Sequence, residues 1–360
     1  MIYIIILYNF KSIFFRKKYF VLLNNMNKYE IYNRLSNKLV VLTDKEIQEL
    51  TNIKSEIKKW GDYGIIKLEG NNIFFKKIPL TEKFALNQFN TKNLYNIPVN
   101  CNYGFGTAGI NPWRELITHI KTSNWVLTGE IENFPLLYHY RIIKDDNHNF
   151  ETGINKKLLE RFNYKNYHVY LEERAECNYK IIIFLEYVPN MLYNFINNDI
   201  SYVKYFFKES TNILDFLQIK GILHLDTHWG NYLVDDNGKL YLTDFGIVLD
   251  KKFDLDEKEK LFMKKNKLLP YYYRFESVYE HYLYKLEENN KLNIFQLPNY
   301  KNLNRIKKFK IILNIIDEIN KIIKYSKYYI DIIKLNKNKI IRLINLRDKI
   351  KNITNKTVYL

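Results

Sequence analysis

Cysteine is nearly absent from this sequence, which contains only Cys101 and Cys177 in 360 residues. Two cysteines so far apart form neither the framework of a disulfide-stabilised domain nor the close pairs typical of a zinc site. The scarcity therefore excludes a disulfide scaffold and predicts free thiols in a reducing, cytoplasmic compartment.

A long uninterrupted apolar run is also missing. The N-terminal extension 1–25 is rich in Ile, Phe and Tyr, but Lys11 and the basic residues 16–18 interrupt it, and a span needs about 20 apolar residues. Its charges follow the apolar run, whereas a signal peptide places them before it. We expect no transmembrane span and at most a weak peripheral membrane contact, with Met26 as an alternative start.

Acidic residues are scarce relative to basic ones, with 39 Asp and Glu against 56 Lys and Arg and a formal net charge of +17. Most of the excess lies in residues 301–360, which contain 16 basic and 4 acidic side chains. That segment is also rich in Ile and Asn, as AT-rich codons produce, so compositional drift explains the charge better than an anion-binding surface does. Because the aromatic residues are spread along the whole chain, nucleic acid is not expected as the primary partner.

The hydrophobic pattern predicts a strand-rich first part and a helix-rich second part. Residues 60–79 predict two strands joined by a turn at the sequence EGNN, and Pro112 predicts the start of a helix. The other predicted elements are strands at 135–143 and 179–188, a helix over 202–220 ending at Gly221, a hairpin at 232–243, and a helix with a core-facing isoleucine stripe at 311–323.

A dense group of polar residues interrupts the second part. His224, Asp226 and Asn231 are followed by Asp244-Phe245-Gly246, which is the pattern H-x-D-x-x-x-x-N followed by D-F-G. In these motifs the chain resembles the protein-kinase-like superfamily. The resemblance implies an α+β, two-lobed fold, with a small antiparallel-sheet N-lobe over 26–189 and a mainly helical C-lobe over 190–360. It also implies ATP and Mg2+ as ligands.

The chemistry of phosphoryl transfer explains these residue types. Transfer of a γ-phosphoryl group depends mainly on positioning and on stabilising negative charge. Asn231 and Asp244 offer the hard oxygen ligands that magnesium prefers, and Asp226 would orient the acceptor hydroxyl and accept its proton. His224 is expected to support the loop backbone. The alternative is a hairpin whose polar residues only cap and solvate it.

The strand-rich part should hold the nucleotide. The sequence IFFKKI resembles the kinase strand whose lysine binds the α and β phosphates, which assigns that role to Lys76 and points Lys77 to the opposite face. Glu115, on the helix after Pro112, is the candidate carboxylate partner of Lys76. The alternatives are a solvated edge-strand lysine and a surface glutamate. Phe74 stands where kinases usually have a small residue against adenine.

Two further features of this part favour nucleotide binding. Gly61 and Gly64, in the sequence GDYG, would form the turn that covers the phosphates, although the full G-x-G-x-x-G pattern is not present there. Glu186 and Val188 lie in FLEYVPN, which looks like the link between kinase lobes. Their backbone groups would bond the adenine edge.

Residues 224–231, which the resemblance implies are the catalytic loop, differ from the loop of Ser/Thr protein kinases, because His228 stands where those kinases have a lysine two residues after the catalytic aspartate. The sequence HLDTHWGN is more similar to the loop of aminoglycoside phosphotransferases and choline kinases, which often lack the glycine present here as Gly246. WRELITHIKTSNWVL and FPLLYHYR resemble bacterial kinase-like proteins labelled serine/threonine kinases. His228 would donate to the γ-phosphate, with a histidine that only packs the loop as the alternative.

The segment after Gly246 has no A-P-E triplet, and the sequence IVLDKKFDLDEKEKLF predicts direct entry into a helix. A peptide-docking platform and a phosphorylation-controlled activation loop are therefore not expected. An acidic cleft built from Asp250, Asp254, Asp256 and Glu257 would favour a cationic small acceptor.

The leading hypothesis is an ATP- and Mg-dependent kinase acting on a hydroxyl acceptor, with protein Ser or Thr first. No motif names the acceptor or an oligomeric state. A small-molecule kinase of the aminoglycoside or choline type is the first alternative. A pseudokinase that binds nucleotide without turnover is the second, although retention of Lys76, Asp226, Asn231 and Asp244 argues against it.

Overall fold

The computed structural model describes residues 28–52, 62–102, 109–144, 163–192, 194–195, 201–267, 269–271 and 273–274. The predictions for the extension 1–25, for Gly61 and for the segments 301–360 and 311–323 lie outside these residues. The chain divides into two units. Unit 1 comprises Met1–Leu86, Leu116–Gly153 and Glu173–Tyr187, and unit 2 comprises Asn87–Glu115, Ile154–Glu172 and Val188–Leu360.

A four-stranded antiparallel sheet forms the centre of unit 1. Its strands are β1 (Asp62–Leu68), β2 (Asn71–Leu80), β3 (Leu137–Lys144) and β4 (Tyr179–Glu186), in the spatial order β1-β2-β4-β3. Glu69 and Gly70 join β1 to β2 with positive φ angles of 49° and 77°. A two-residue turn of this handedness matches the twist of the strands, so the hairpin predicted from EGNN is confirmed.

Two N-terminal helices contact this sheet, α1 over residues 28–40 and α2 (Asp44–Thr51). Arg141 of β3 donates to the Leu42 carbonyl and to Asp44 Oδ1, each at 3.0 Å. Ser36 Oγ donates to the Tyr138 carbonyl at 2.6 Å. These bonds hold the corner between α1 and α2 against the edge strand β3.

Three helices follow or interrupt the sheet strands: α3 (Glu82–Ala85), α5 (Pro112–Leu127) and α6 (Lys165–Ala175). The helix predicted to begin at Pro112 is confirmed as α5. It starts in unit 2 and continues in unit 1, where Ser123 Oγ accepts the Leu137 N–H at 2.6 Å. This bond connects α5 to the start of β3.

The described part of unit 2 contains α4 (Val99–Asn102), α7 (Ser201–Lys220), α8 (Glu257–Lys265) and short antiparallel strands. α7 lies against β6 and β8, and it ends at Gly221 with φ 84°, which confirms the predicted C-cap. The strands are β5 (Asn190–Met191), β7 (Tyr232–Val234) and β8 (Leu240–Leu242) in one sheet, and β6 (Ile222–His224) paired with β9 (Val248–Asp250) in another.

The segment after Gly246 does not pass straight into a helix, and that prediction is wrong. Val248–Asp250 form β9, paired with β6, and α8 begins only at Glu257 after its N-cap Asp256. Val248 and Leu249 are buried. A short apolar run of this kind cannot be assigned to helix or strand from periodicity alone.

The described residues have mixed α and β content with a small antiparallel sheet, and this part of the predicted fold class is confirmed. Within the same residues, we find no helix whose length and apolarity would let it cross a lipid bilayer.

Candidate active site

His224 connects two backbone segments of unit 2. It is buried at the end of β6, where its Nδ1 accepts the Asp226 N–H at 3.2 Å and its Nε2 lies 3.1 Å from the Thr243 carbonyl. These two bonds require a neutral ring with its proton on Nε2, and burial lowers the pKa of His224 to about 4. The expected role of His224 in supporting the loop backbone is confirmed.

Asn231 lies at the end of a 3-10 turn, Trp229–Asn231, and is only 7% exposed. Its Nδ2 donates to the Asp226 carbonyl at 2.7 Å, and its own carbonyl accepts the Thr243 N–H at 3.0 Å. Because the NH2 group is engaged by that carbonyl, Oδ1 is the side-chain atom that Asn231 offers to a cation.

Asp244 follows β8 with a positive φ of 60°. This left-handed conformation is uncommon for a residue with a side chain and often occurs at functional sites, where the surrounding structure holds it. The next residue, Phe245, is fully buried, and its ring centroid lies 5.3 Å from that of His224. The packing of Phe245 thus fixes the backbone on one side of Asp244.

His228 is held by the catalytic loop itself. Its Nδ1 accepts the Gly230 N–H at 3.0 Å, and its Nε2 lies 3.7 Å from Asp226 Oδ1. Both side chains are accessible, with 37% of His228 and 34% of Asp226 exposed. A Cβ at Gly230 would lie 2.8 Å from His228 Cε1, so a side chain at position 230 would displace this ring. The backbone bond fits the packing alternative, and the partly exposed side chain with Nε2 near Asp226 fits the donor role.

The start of α5 approaches Gly246 closely. A Cβ on Gly246 would lie 3.3 Å from Asp244 Oδ1 and 3.4 Å from Glu115 Oε2, which places both carboxylates beside this glycine. A Cβ on Gly109 would lie 2.0 Å from the Gly246 carbonyl oxygen. No side chain tolerates that distance, so the contact requires glycine at position 109.

The two adjacent lysines of β2, in unit 1, lie on opposite faces of the sheet. Lys77 is buried, and its Nζ donates to Asp62 Oδ2 of β1 at 2.8 Å. Successive strand residues point to opposite faces, so the half-buried Lys76 lies on the other face, opposite Ile183 of β4. Phe74 shares that face with Lys76. The expectation that Lys77 points away from Lys76 is confirmed.

Gly64 does not form a turn, and that prediction is wrong. It lies within β1 opposite Phe75 of β2. A Cβ on Gly64 would lie 2.8 Å from the buried Phe75 ring, which gives this glycine a packing role. A glycine that makes room for a neighbouring ring inside a strand has the same one-letter signal as a glycine in a loop.

Glu186 ends β4, and the boundary between the units falls directly after it, between Tyr187 and Val188. The carboxylate of Glu186 accepts the Leu136 N–H at 3.2 Å and lies 3.4 Å from Lys28 Nζ. The Glu186 N–H donates to the Leu136 carbonyl at 2.8 Å. The side chain is therefore used inside unit 1, and adenine binding by the backbone of Glu186 and Val188 stays a prediction.

Unit 2 thus brings the catalytic loop residues together. Residues 195–265 match the ABC1 atypical kinase-like domain. The matched range contains β6, the catalytic loop, the hairpin of β7 and β8, and α8.

A second comparison agrees with this match. The chain is 28% identical over 191 residues to the CTD kinase subunit alpha of Saccharomyces cerevisiae, in an alignment that covers 50% of this chain and 32% of that protein. The chain therefore spans about a third of that relative's length. Both similarities support the protein-kinase-like superfamily, and neither confirms the bacterial or aminoglycoside-type resemblance.

The side chains of this kinase-like site fit Mg2+. Asn231 and Asp244 present hard oxygen donors from the two ends of one hairpin. In the described residues, no three or more His, Cys, Asp and Glu side chains form a cluster that could hold a metal ion. A cation held by two protein side chains needs further oxygens from phosphates and water, as Mg2+ in kinase sites commonly has.

The acidic residues expected to form a cleft are held in local contacts. Asp250 is fully buried, and its Oδ1 accepts the Lys252 N–H at 2.8 Å, so it cannot line an open cleft. Asp256 caps α8. The remaining two form ion pairs, Asp254 with Lys92 at 3.3 Å and Glu257 with Lys260 at 2.8 Å.

Three residues near the start of α5 were not predicted from the sequence. Asn111 caps this helix, since its Oδ1 accepts the Trp113 N–H at 2.9 Å, and an asparagine before a helix-starting proline is a usable signal. Gly109 ends a G-x-G-x-x-G spacing that begins at Gly104, and its carbonyl accepts the Tyr170 hydroxyl at 2.9 Å. Arg114 pairs with a glutamate 145 positions away, which no local pattern indicates.

Proposed function

We propose that this protein is an ATP- and Mg-dependent phosphotransferase that transfers the γ-phosphoryl group of ATP to a hydroxyl acceptor, with protein Ser or Thr as the leading class. The observation that carries the proposal is the bond from Asn231 Nδ2 to the Asp226 carbonyl at 2.7 Å. The bond holds Asn231, the proposed metal ligand, and Asp226, the proposed proton acceptor, in one loop, and phosphoryl transfer depends on positioning of this kind.

Asp226 is the proposed catalytic residue. Its side chain is 34% exposed, so an acceptor hydroxyl can reach it, and its backbone is held by His224 and Asn231 on either side. The carboxylate would orient the hydroxyl and accept its proton as the oxygen attacks the γ-phosphorus. Mg2+, when bound to Asn231 and Asp244, would neutralise charge on the phosphates.

His228 is proposed as a donor to the transferred phosphoryl group. With Nδ1 occupied by the Gly230 N–H, the ring carries its proton on Nε2. Nε2 faces Asp226 at 3.7 Å and is therefore near the acceptor oxygen. This role corresponds to the lysine of protein kinases.

Nucleotide binding is proposed for the residues that resemble those of kinase nucleotide sites. We propose that Lys76 contacts the α and β phosphates, with Glu115 as its carboxylate partner, and that the backbone of Glu186 and Val188 contacts adenine. The separation of Lys76 from the ion-paired Lys77 supports this assignment. The glycine turn over the phosphates is not proposed for Gly64.

A small-molecule kinase is the second candidate, and His228 in place of the kinase lysine is the observation that favours it. The acidic cleft that would attract a cationic small acceptor receives no support, because Asp250 is buried and Asp256 caps a helix. A pseudokinase is disfavoured by the presence of Lys76, Asp226, Asn231 and Asp244 together.

The experiment that tests the proposal follows ATP consumption by the full chain over a panel of protein and cationic small-molecule acceptors. The matched control is Asp226→Ala, with binding of ATP measured in parallel. We expect acceptor-dependent turnover in the parent protein and its loss in the variant. Magnesium-dependent ATP binding without turnover above the level of the Asp226→Ala variant would reject catalysis and select the pseudokinase.

A further inference from the structure

A buried ion pair joins the start of α5 to α8 within unit 2. Arg114 Nη1 lies 2.7 Å from Glu259 Oε1, and Arg114 Nη2 lies 3.1 Å from Glu259 Oε2. The side chains are 3% and 0% exposed. A planar guanidinium bound by both carboxylate oxygens accepts a narrow range of geometries, so this pair specifies one relative position of the two helices.

The surroundings of the pair extend this constraint. Arg114 Nε donates to the Thr91 carbonyl at 2.8 Å, and Thr91 Oγ1 accepts the Asp254 N–H at 2.8 Å. The Phe253 ring lies 5.7 Å from Arg114 Cζ. The first turn of α5, the loop around Thr91 and the chain entering α8 therefore meet at one guanidinium.

The same helix start contacts the D-F-G segment. Glu115 follows Arg114 directly, and its Oε2 lies beside Gly246, while Gly109 packs on the Gly246 carbonyl. The start of α5 is thus held by Arg114 toward α8 and by Gly109 and Glu115 toward Gly246. A shift of the helix start would break a buried bidentate pair, which is costly because it leaves a charge without its partner.

From these contacts we infer that Arg114 and Glu259 are positioning residues that keep Glu115 and the D-F-G segment aligned without any modification. The inference rests on the proposed function, because it concerns the same site. In regulated kinases a phosphate added to the activation segment supplies the charge that pairs with arginine. Here the carboxylate of Glu259 is a permanent part of the chain, so the site is aligned constitutively.

The test compares Glu259→Gln and Arg114→Lys with the parent in the full chain. Glu259→Gln keeps the shape of the side chain and removes its charge. Arg114→Lys keeps the positive charge and removes the planar guanidinium that binds both carboxylate oxygens. The control Asp44→Asn breaks the accessible pair between Arg141 and Asp44 in unit 1. The swap Arg114→Glu with Glu259→Arg restores opposite charges at the same two positions.

Hydrogen exchange gives a readout that does not depend on turnover. We expect exchange of the amides in 244–250 and at the start of α5 to rise about tenfold or more in Glu259→Gln and Arg114→Lys, with the β1 and β2 amides unchanged. The control should match the parent throughout. An equal rise in all elements would show a purely structural role, and no rise at 244–250 would also overturn the inference.

Kinetics then separate positioning from binding. With an active acceptor, kcat should fall about tenfold or more in both variants while KM for ATP changes less than about threefold, and the swap should recover part of kcat. A change confined to KM would contradict the inference. If the parent itself shows no turnover, the proposed function fails. The difference in hydrogen exchange between the variants and the control still decides whether Arg114 and Glu259 position residues 244–250.

Discussion

The side-chain amide of Asn231 donates to the backbone carbonyl of Asp226 at 2.7 Å, and the backbone carbonyl of Asn231 accepts the N–H of Thr243. Asn231 therefore contacts the residue proposed to accept a proton and the residue preceding Asp244. His224 contacts the same two residues, since its Nδ1 accepts the Asp226 N–H and its Nε2 lies 3.1 Å from the Thr243 carbonyl. The proposed metal ligands and catalytic base share one hydrogen-bonded frame.

Substitution of Asn231 should raise the Mg2+ requirement. Asn231→Ala removes the ligand oxygen and the donor to Asp226, so half-maximal nucleotide binding should need about tenfold more Mg2+ or higher. Asn231→Asp keeps an oxygen ligand but loses the donor, so it should retain more Mg2+ affinity and still lose turnover. Magnesium titration of ATP binding measures both. An unchanged titration in Asn231→Ala would exclude it as a ligand.

Substitution of the two neighbouring lysines should affect different properties, stability for Lys77 and ATP binding for Lys76. Lys77→Met removes the 2.8 Å ion pair with the buried Asp62, and it should lower the free energy of unfolding by about 3 kcal/mol. Lys76→Met should leave stability within about 1 kcal/mol and weaken ATP binding. Urea unfolding and ATP titration distinguish the two variants. Loss of ATP binding only in a folded Lys77→Met would reverse the assignment.

Acid should destabilise the protein through His224. Burial lowers its pKa from 6.5 to about 4, so the unfolded chain binds a proton more readily and stability is lost as pH falls from 6.5 toward 4. The loss due to this residue is on the order of 3 kcal/mol at the low end. Above pH 6.5 its contribution is fully present and constant.

The measurement is urea unfolding at several pH values in the parent and in His224→Gln. The variant should have a shallower loss of stability between pH 6.5 and 4. His139 offers a second test of the same effect, because burial and then Arg141 also lower its pKa to about 4. His139→Gln should therefore reduce the loss of stability between pH 6.5 and 4 by a similar amount. Identical slopes in the parent and in His224→Gln would contradict the buried, neutral ring.

Substitution of His228 should affect the chemical step. His228→Ala is expected to lower kcat about tenfold to a hundredfold while KM for ATP changes little. Gly230→Ala should act in the same direction, because its Cβ would displace the His228 ring. Steady-state kinetics with the active acceptor measure both variants. Equal activity of His228→Ala and the parent across pH 6 to 8 would leave His228 with only a packing role.

Turns, helix starts and helix caps could be predicted from the sequence, because each depends on a few neighbouring residues. The EGNN turn, the start of α5 at Pro112 and the glycine cap at Gly221 each depend on neighbouring residues, and all three are confirmed. The kinase-like motif could be recognised because residues 224–231 and 244–246 keep a fixed spacing on the two sides of one hairpin. The position of Lys76 relative to Lys77 followed from the alternation of a strand.

Pairings between distant residues could not be predicted in this way. The pairing of β9 with β6 and the pairing of Arg114 with Glu259 depend on how the chain folds back, and neither leaves a periodic or spaced signal. The strand position of Gly64 was missed because a packing glycine and a turn glycine look alike in the sequence. Tertiary packing decides each of these cases.

The most direct test of phosphotransfer is a single-turnover measurement with ATP labelled on its γ-phosphate, the stimulating acceptor and Mg2+. The full chain is compared with Asp226→Asn, which keeps the size of the side chain and cannot accept the proton at neutral pH. We predict label on the acceptor and an equal amount of ADP in the parent, with transfer slowed about a hundredfold or more in the variant. Equal transfer by both proteins, or no label on any acceptor despite Mg-dependent ATP binding, would contradict the account.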